Sequence, residues 1–232
     1  MIRKIFRLGI VAMILLCANA GMAAILSLSD IDPNLTVLSK TELDPFFKQK
    51  LEYQVAGVAK YDKFFKSSAI TYGGLLVGKN AATTTSATLK GYARSMAAKA
   101  ATDANVKEIV GDTPPDKITT EQSIALLKLK KKRGELSEDE TKYFISSAAN
   151  LGLIAVALNA SIQNAASLAD TGKELSGSAK DDFTGFNAMK LPGVISGITN
   201  SATQLAQVPS EGIGLAKELT IMIQAMQMLS GK

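Results

Sequence analysis

Apolar positions recur along this chain in steps of three and four, the spacing of one face of an α-helix, with no sustained alternation of apolar and polar residues. Leu51, Val55, Val58, Phe65, Ala69, Tyr72 and Leu76 keep that rhythm, and Asp62 is its lone polar interruption. Asp44-Pro45 ahead of them reads as an N-cap followed by proline in the first turn. Gly78 and Asn80 predict the end of this helix or a kink. A second helix is expected from about Thr84 to Val110, with Leu89, Tyr92, Met96, Ala100, Val106, Ile109 and Val110 on its apolar side.

Gly111-Asp112-Thr113-Pro114-Pro115 then breaks the chain, and 111–118 is the candidate internal boundary. Thr119 with Gln122, and Ser137 with Glu140, have the spacing of capping boxes. They predict a third helix ending at Gly134 and a fourth beginning at once, so the two should form an antiparallel hairpin. A loop is expected around Thr171 to Asp182. Pro192 opens a fifth helix running to about Gln207. Pro209-Ser210-Glu211 resets the chain for a last helix whose face is Leu215, Leu219, Met222, Met226 and Leu229. The sum is an all-α fold: an antiparallel bundle of five or six helices forming one domain over 24–232.

Residues 1–23 read differently. Arg3, Lys4 and Arg7 precede an apolar run from Leu8 to Leu16, and small-x-small sites follow at Ala18-Asn19-Ala20 and Gly21-Met22-Ala23. That is the layout of a cleaved secretory signal, and the apolar run is shorter than the roughly 20 residues a bilayer requires. Cys17 raises a lipid-anchored alternative. Leu15 and Leu16 stand where lipoprotein signals carry a small residue, which argues against it. The expected location is therefore the periplasm, the cell envelope or the medium.

Composition narrows the chemistry. The 232 residues include no His and no Trp, and one Cys, which lies inside the leader. Ser-His-Asp and Cys-His catalysis and zinc sites built on His and Cys are thereby excluded. The formal charge is +5, but the leader carries three of those positive charges, so the basic balance is poor evidence for nucleic acid as a partner. Gly73 to Asn80 reads G-G-L-L-V-G-K-N, one residue short of a phosphate-binding loop, yet it follows a helical pattern where that motif needs a strand. Asp30-Ile31-Asp32-Pro33-Asn34 begins like a calcium loop, but Leu35 replaces the turn glycine and Thr41 the bidentate glutamate. No cofactor or metal is expected, and no motif carries a resemblance to a known family.

Three features remain as candidate contacts. Lys128, Lys130, Lys131, Lys132 and Arg133 crowd a helix C-terminus, where they either meet an anionic surface or simply complement the helix dipole. Leu215, Leu219, Met222, Met226 and Leu229 form an apolar, Met-containing face that could take a hydrophobic partner or fill the core. The 143–169 stretch contains no charged residue. It reads as the central helix of a soluble bundle, surrounded by neighbours. The membrane-inserting alternative suffers from Asn150, Asn159, Gln163 and Asn164, whose amides are expensive in hydrocarbon. The expected function is binding or scaffolding by an exported non-enzymatic protein, with another envelope protein as partner. The alternative is a membrane-active protein, or one binding lipid or another hydrophobic ligand, that uses the 143–169 and 211–229 helices.

Overall fold

The computed structural model describes residues 22–27 and 50–231, and within them the chain is predominantly helical. Strands β1 (Met22–Ser27) and β2 (Lys50–Val55) pair antiparallel, with Met22 opposite Val55 and Ser27 opposite Lys50. Three long helices follow: α1 (Ala59–Ala97), α4 (Glu138–Asp182) and α5 (Leu191–Ser230). Between α1 and α4 lie a 3-10 turn (Ala98–Ala101), α2 (Ala104–Val110) and α3 (Thr120–Lys132), and a second 3-10 turn (Gly185–Lys190) joins α4 to α5. Cys17, the Asp30–Asn34 segment, the Asp44-Pro45 cap and the leader apart from Met22 and Ala23 lie outside the described residues.

The first helix therefore does not include Leu51 and Val55. Positions four apart satisfy a strand as well as a helix, and here Leu51, Tyr53 and Val55 alternate with Lys50, Glu52 and Gln54 in a strand paired with β1. Gly57, at φ +74°, turns the chain from β2 into α1. Val58 offers no side-chain cap. Instead the Asp62 carboxylate accepts the N–H groups of Ala56 (2.6 Å) and Gly57 (3.2 Å). The polar residue that interrupts the apolar face is the one that fixes the corner.

Gly78 does not end α1, which is continuous for 39 residues. A Cβ on Gly78 would stand 2.9 Å from Leu215 Cδ2 of α5, and one on Gly74 would collide with the Ser161 side chain of α4. These glycines let neighbouring helices approach. The expected second helix is likewise absent as a unit, because α1 runs to Ala97 and Asp103 starts α2 by accepting from Asn105 and Val106 N–H. Both expected capping boxes are present, Thr119 with Gln122 and Ser137 with Glu140. The loop expected at 171–182 is instead the end of α4, and Pro209 lies inside α5. An interior proline costs a helix about 3 kcal/mol. Burial of Val208, Gly212 and Leu215 around it holds α5 together across that defect.

Buried positions in the long helices repeat every seven residues. In α1 they are Tyr61, Ser68, Leu75, Ala82, Leu89 and Met96; in α4, Phe144, Leu151, Leu158, Ala165, Gly172 and Ala179; in α5, Val194, Ser201, Val208, Leu215, Met222 and Leu229. A second series three or four residues away completes each seam, the pattern that keeps long helices in register over many turns. Gly74 meets Ser161 and Tyr61 meets Asp182, so α4 runs opposite to α1. Gly197 lies against Phe65 and Gly78 against Leu215, so α5 runs with α1. The most enclosed stretch is Tyr61–Ala82 of α1, not 143–169: Ser68, Ala69, Gly73, Gly74 and Gly78 are all buried there. Only 28% of the most apolar 18 residues of α4 is buried.

Candidate functional site

The basic run sits on the last turn of α3, as expected, but most of it is engaged within the fold. Lys130 Nζ lies 2.5 Å from Glu140 Oε1, with both side chains largely enclosed (15% and 7% exposed). Burial pushes the Glu140 carboxyl up, yet Lys130 and the Ser137 N–H (2.8 Å) outweigh it and hold the pKa below the ordinary value. Arg133 forks onto Asp103, with Nη1 to Oδ2 at 2.5 Å and Nη2 to Oδ1 at 3.1 Å. That guanidinium, followed by the Val106 and Asn105 N–H groups, lowers the Asp103 pKa to about 2. Lys131 Nζ donates to the Met228 carbonyl near the end of α5. These three cations tie α3 to α4, α2 and α5 in turn. Lys128 and Lys132 remain exposed, without a partner among the described residues. The run does not form an unbroken cationic patch.

The apolar face of α5 is also placed. Leu215, Leu219, Met222, Met226 and Leu229 are each 9% exposed or less and lie in the core, so the face anticipated for a hydrophobic partner is spent on the fold itself. Leu215 packs over Gly78 of α1. The G-G-L-L-V-G-K-N segment is interior helix, where its N–H groups are committed to the helix ladder, and Lys79 pairs with Glu211. It has no phosphate cradle.

A polar cluster fastens the other end of α1. Tyr61 donates its hydroxyl to Asp182 Oδ2 (2.7 Å) and Leu175 O (3.1 Å), Lys60 reaches the same carboxylate at 2.5 Å, and the Phe183 ring meets Tyr61 edge-on at 5.0 Å. Lys60, then Tyr61, holds the Asp182 carboxyl below its usual range; burial raises the Tyr61 phenol. The carboxylate is occupied by two donors, an arrangement suited to clamping α1 on α4. No group of three or more Asp, Glu, Cys or His side chains that could hold a metal ion occurs among the described residues.

The feature that sequence reasoning missed is the outer surface of α4 and α5. On α4, Ile145 (43% exposed) and Val156 (66%) face outward with Ser146, Ala149, Asn159, Ala160, Gln163 and Asn164. On α5, Ile213 (51%), Ile221 (56%) and Met228 face outward. Gly212 of α5 lies against Leu158 and Ile162 of α4, so the two helices pack closely at this level. Lys217 and Glu218 are exposed charges among these positions of α5. The missed signal was the small, neutral residues on the back of the 143–169 helix: lack of charge there marks an uncharged exterior as well as a core. No protein-family model matches this chain, and no curated protein or solved structure matches it.

Proposed function

We propose that this is an exported protein of the periplasm or cell envelope that acts without catalysis, as a binding or scaffolding element. In this reading residues 1–23 are a signal removed on export, and the remainder is a single antiparallel helical bundle. The observation that supports the reading is the exposure of Ile145 and Val156 on α4 and of Ile213, Ile221 and Met228 on α5 among the described residues. Large apolar side chains left in water are candidate contacts for a partner where they adjoin one another. A photo-crosslinking residue at Val156, in cells that make the protein, is expected to give a discrete adduct with another envelope protein. The same residue at the exposed Glu108 of α2 should give none. Equal labelling from both positions would remove the reading.

A second reading, lipid binding, is favoured by α4 itself, whose apolar stretch has a mean hydropathy of 1.6 and the length to cross a membrane. Flotation of the protein with vesicles, with and without anionic lipid, tests it; recovery only in the soluble fraction refutes it. Lys128 and Lys132 are the cations available to an anionic surface, and their replacement by Gln should weaken binding to anionic vesicles if that surface is used.

A further inference from the structure

We infer that the exported protein is cut between Ala20 and Gly21, so that the mature chain begins at Gly21 and keeps β1 whole. The inference rests on the proposal that a leader is removed on export, and moves the end of that leader from Ala23 to Ala20. Hydrolysis of the Ala20–Gly21 amide consumes one water. It leaves a carboxylate on Ala20 of the leader and an ammonium on Gly21 of the mature chain.

By sequence, two bonds compete. Ala18-Asn19-Ala20 and Gly21-Met22-Ala23 each place small residues directly ahead of a scissile amide and two positions before that, and both follow closely on the apolar run that ends at Leu16. Strand β1 separates them. It spans Met22–Ser27, so a cut after Ala20 leaves every paired residue on the mature chain. A cut after Ala23 carries Met22 and Ala23 away with the leader.

The residues at stake stand opposite the anchored end of β2. Met22 pairs with Val55 and Ala23 with Gln54. Immediately beyond, the Asp62 carboxylate accepts the Ala56 and Gly57 N–H groups, and Lys190 Nζ donates to the Ala56 carbonyl at 3.2 Å. Gly197 of α5 lies against the Gln54 side chain, with no room there for a Cβ, and Tyr53 packs on the core. The ribbon is thus held to the bundle at its Met22 end. Without Met22 and Ala23, only Ala24–Ser27 would remain, paired with Lys50–Tyr53 toward the far end. The new ammonium would fall on Ala24, inside the present ladder and opposite the half-buried Tyr53, where desolvation of a charge is costly. A two-stranded ribbon is marginal in water to begin with, so a shortened one that has lost its anchored pairs is poorly placed to persist. The cut after Ala20 alone leaves the mature protein with the strand intact.

Intact-mass measurement and N-terminal sequencing of the protein exported from cells that make the full 1–232 chain are expected to show a species starting at Gly21. Ala20→Leu puts a large residue directly ahead of the cut and should lower the yield of that species roughly 10-fold or more. Ala23→Leu should leave the yield unchanged. In the mature protein, the amides of 22–27 should exchange with deuterium roughly 10-fold or more slowly than in an unstructured peptide of the same sequence. A mature chain starting at Ala24, or at any residue other than Gly21, overturns the inference while the export reading stands. Exchange of 22–27 at the peptide's rate also overturns it, because the mature chain would then not hold the strand. Recovery of the uncut 1–232 chain alone refutes the inference and the proposed leader together.

Discussion

Lys130→Met tests whether the basic run is structural. The substitution keeps the aliphatic stem, removes the ammonium 2.5 Å from Glu140, and leaves a carboxylate whose side chain is 7% exposed. Charges about 4 Å apart attract by roughly 4 kcal/mol at an effective dielectric near 20. Deleting one partner of a buried pair costs about 3–5 kcal/mol, because the remaining charge keeps its desolvation penalty. The Ser137 N–H still serves Glu140, so the lower end, about 3 kcal/mol, is expected at pH 7. For a chain of this size that is a fall in Tm of about 6–12 °C. The effect must also depend on pH with a definite sign. In the parent, Glu140 titrates below its ordinary 4.5, so its contribution is present above that value and is lost as pH falls through the folded pKa. Without Lys130 the carboxyl loses the main partner that offsets its burial, so its pKa rises relative to the parent, and the penalty is full at pH 7 and shrinks as protonation neutralises the group. Urea melts of parent and variant should therefore converge between pH 7 and pH 4, and Lys130→Met with Glu140→Gln should recover most of the loss at pH 7. A loss under 1 kcal/mol at pH 7, or one that does not change with pH, would refute the reasoning.

Other substitutions probe the glycines, the clamp and the acid limb. Gly91→Ala, with nothing within 4 Å of the new methyl, should stabilise by about 0.5–1 kcal/mol in a denaturant melt. Gly74→Val must displace the Ser161 side chain and should cost about 2 kcal/mol, against a smaller gain in helix preference than alanine brings. Tyr61→Phe removes a hydroxyl that donates to Asp182 and Leu175, and should cost about 1–2 kcal/mol by thermal denaturation. Asp103, with its pKa held near 2 by Arg133, contributes stability that is present above its ordinary 3.8 and lost as pH falls toward 2. Asp103→Asn should accordingly flatten the decline of Tm over that range.

What could be read from the sequence was what neighbouring residues decide among themselves. Thr119 with Gln122 and Ser137 with Glu140 complete their bonds within one turn, so their spacing located the starts of α3 and α4. The elements misread were those decided by distant chain. Gly74, Gly78 and Pro209 are helix breakers in isolation and are carried here by packing against other helices. Leu51 and Val55 share a face in either periodicity, and β1, a strand some 25 residues earlier in the chain, fixes the outcome. For the candidate site the ambiguity was one of environment: an Ala, Ser and Asn-rich exterior carries no charge, and neither does a core. The basic run showed the reverse problem, since its partners Asp103 and Met228 lie far from it in sequence.

The order of the long helices has a consequence for assembly. The helix with the most enclosed stretch, α1, is synthesised first of the three, and part of its cover, Leu215 over Gly78 and Glu211 beside Lys79, comes from α5, which is synthesised last. Contacts spanning so much chain close slowly, because loop entropy is lost before they form. The α3–α4 and α4–α5 connections are short and can close early. Until α5 arrives, Gly78 of α1 lacks the cover that Leu215 gives it, so the packing of α1 is completed only by the last helix.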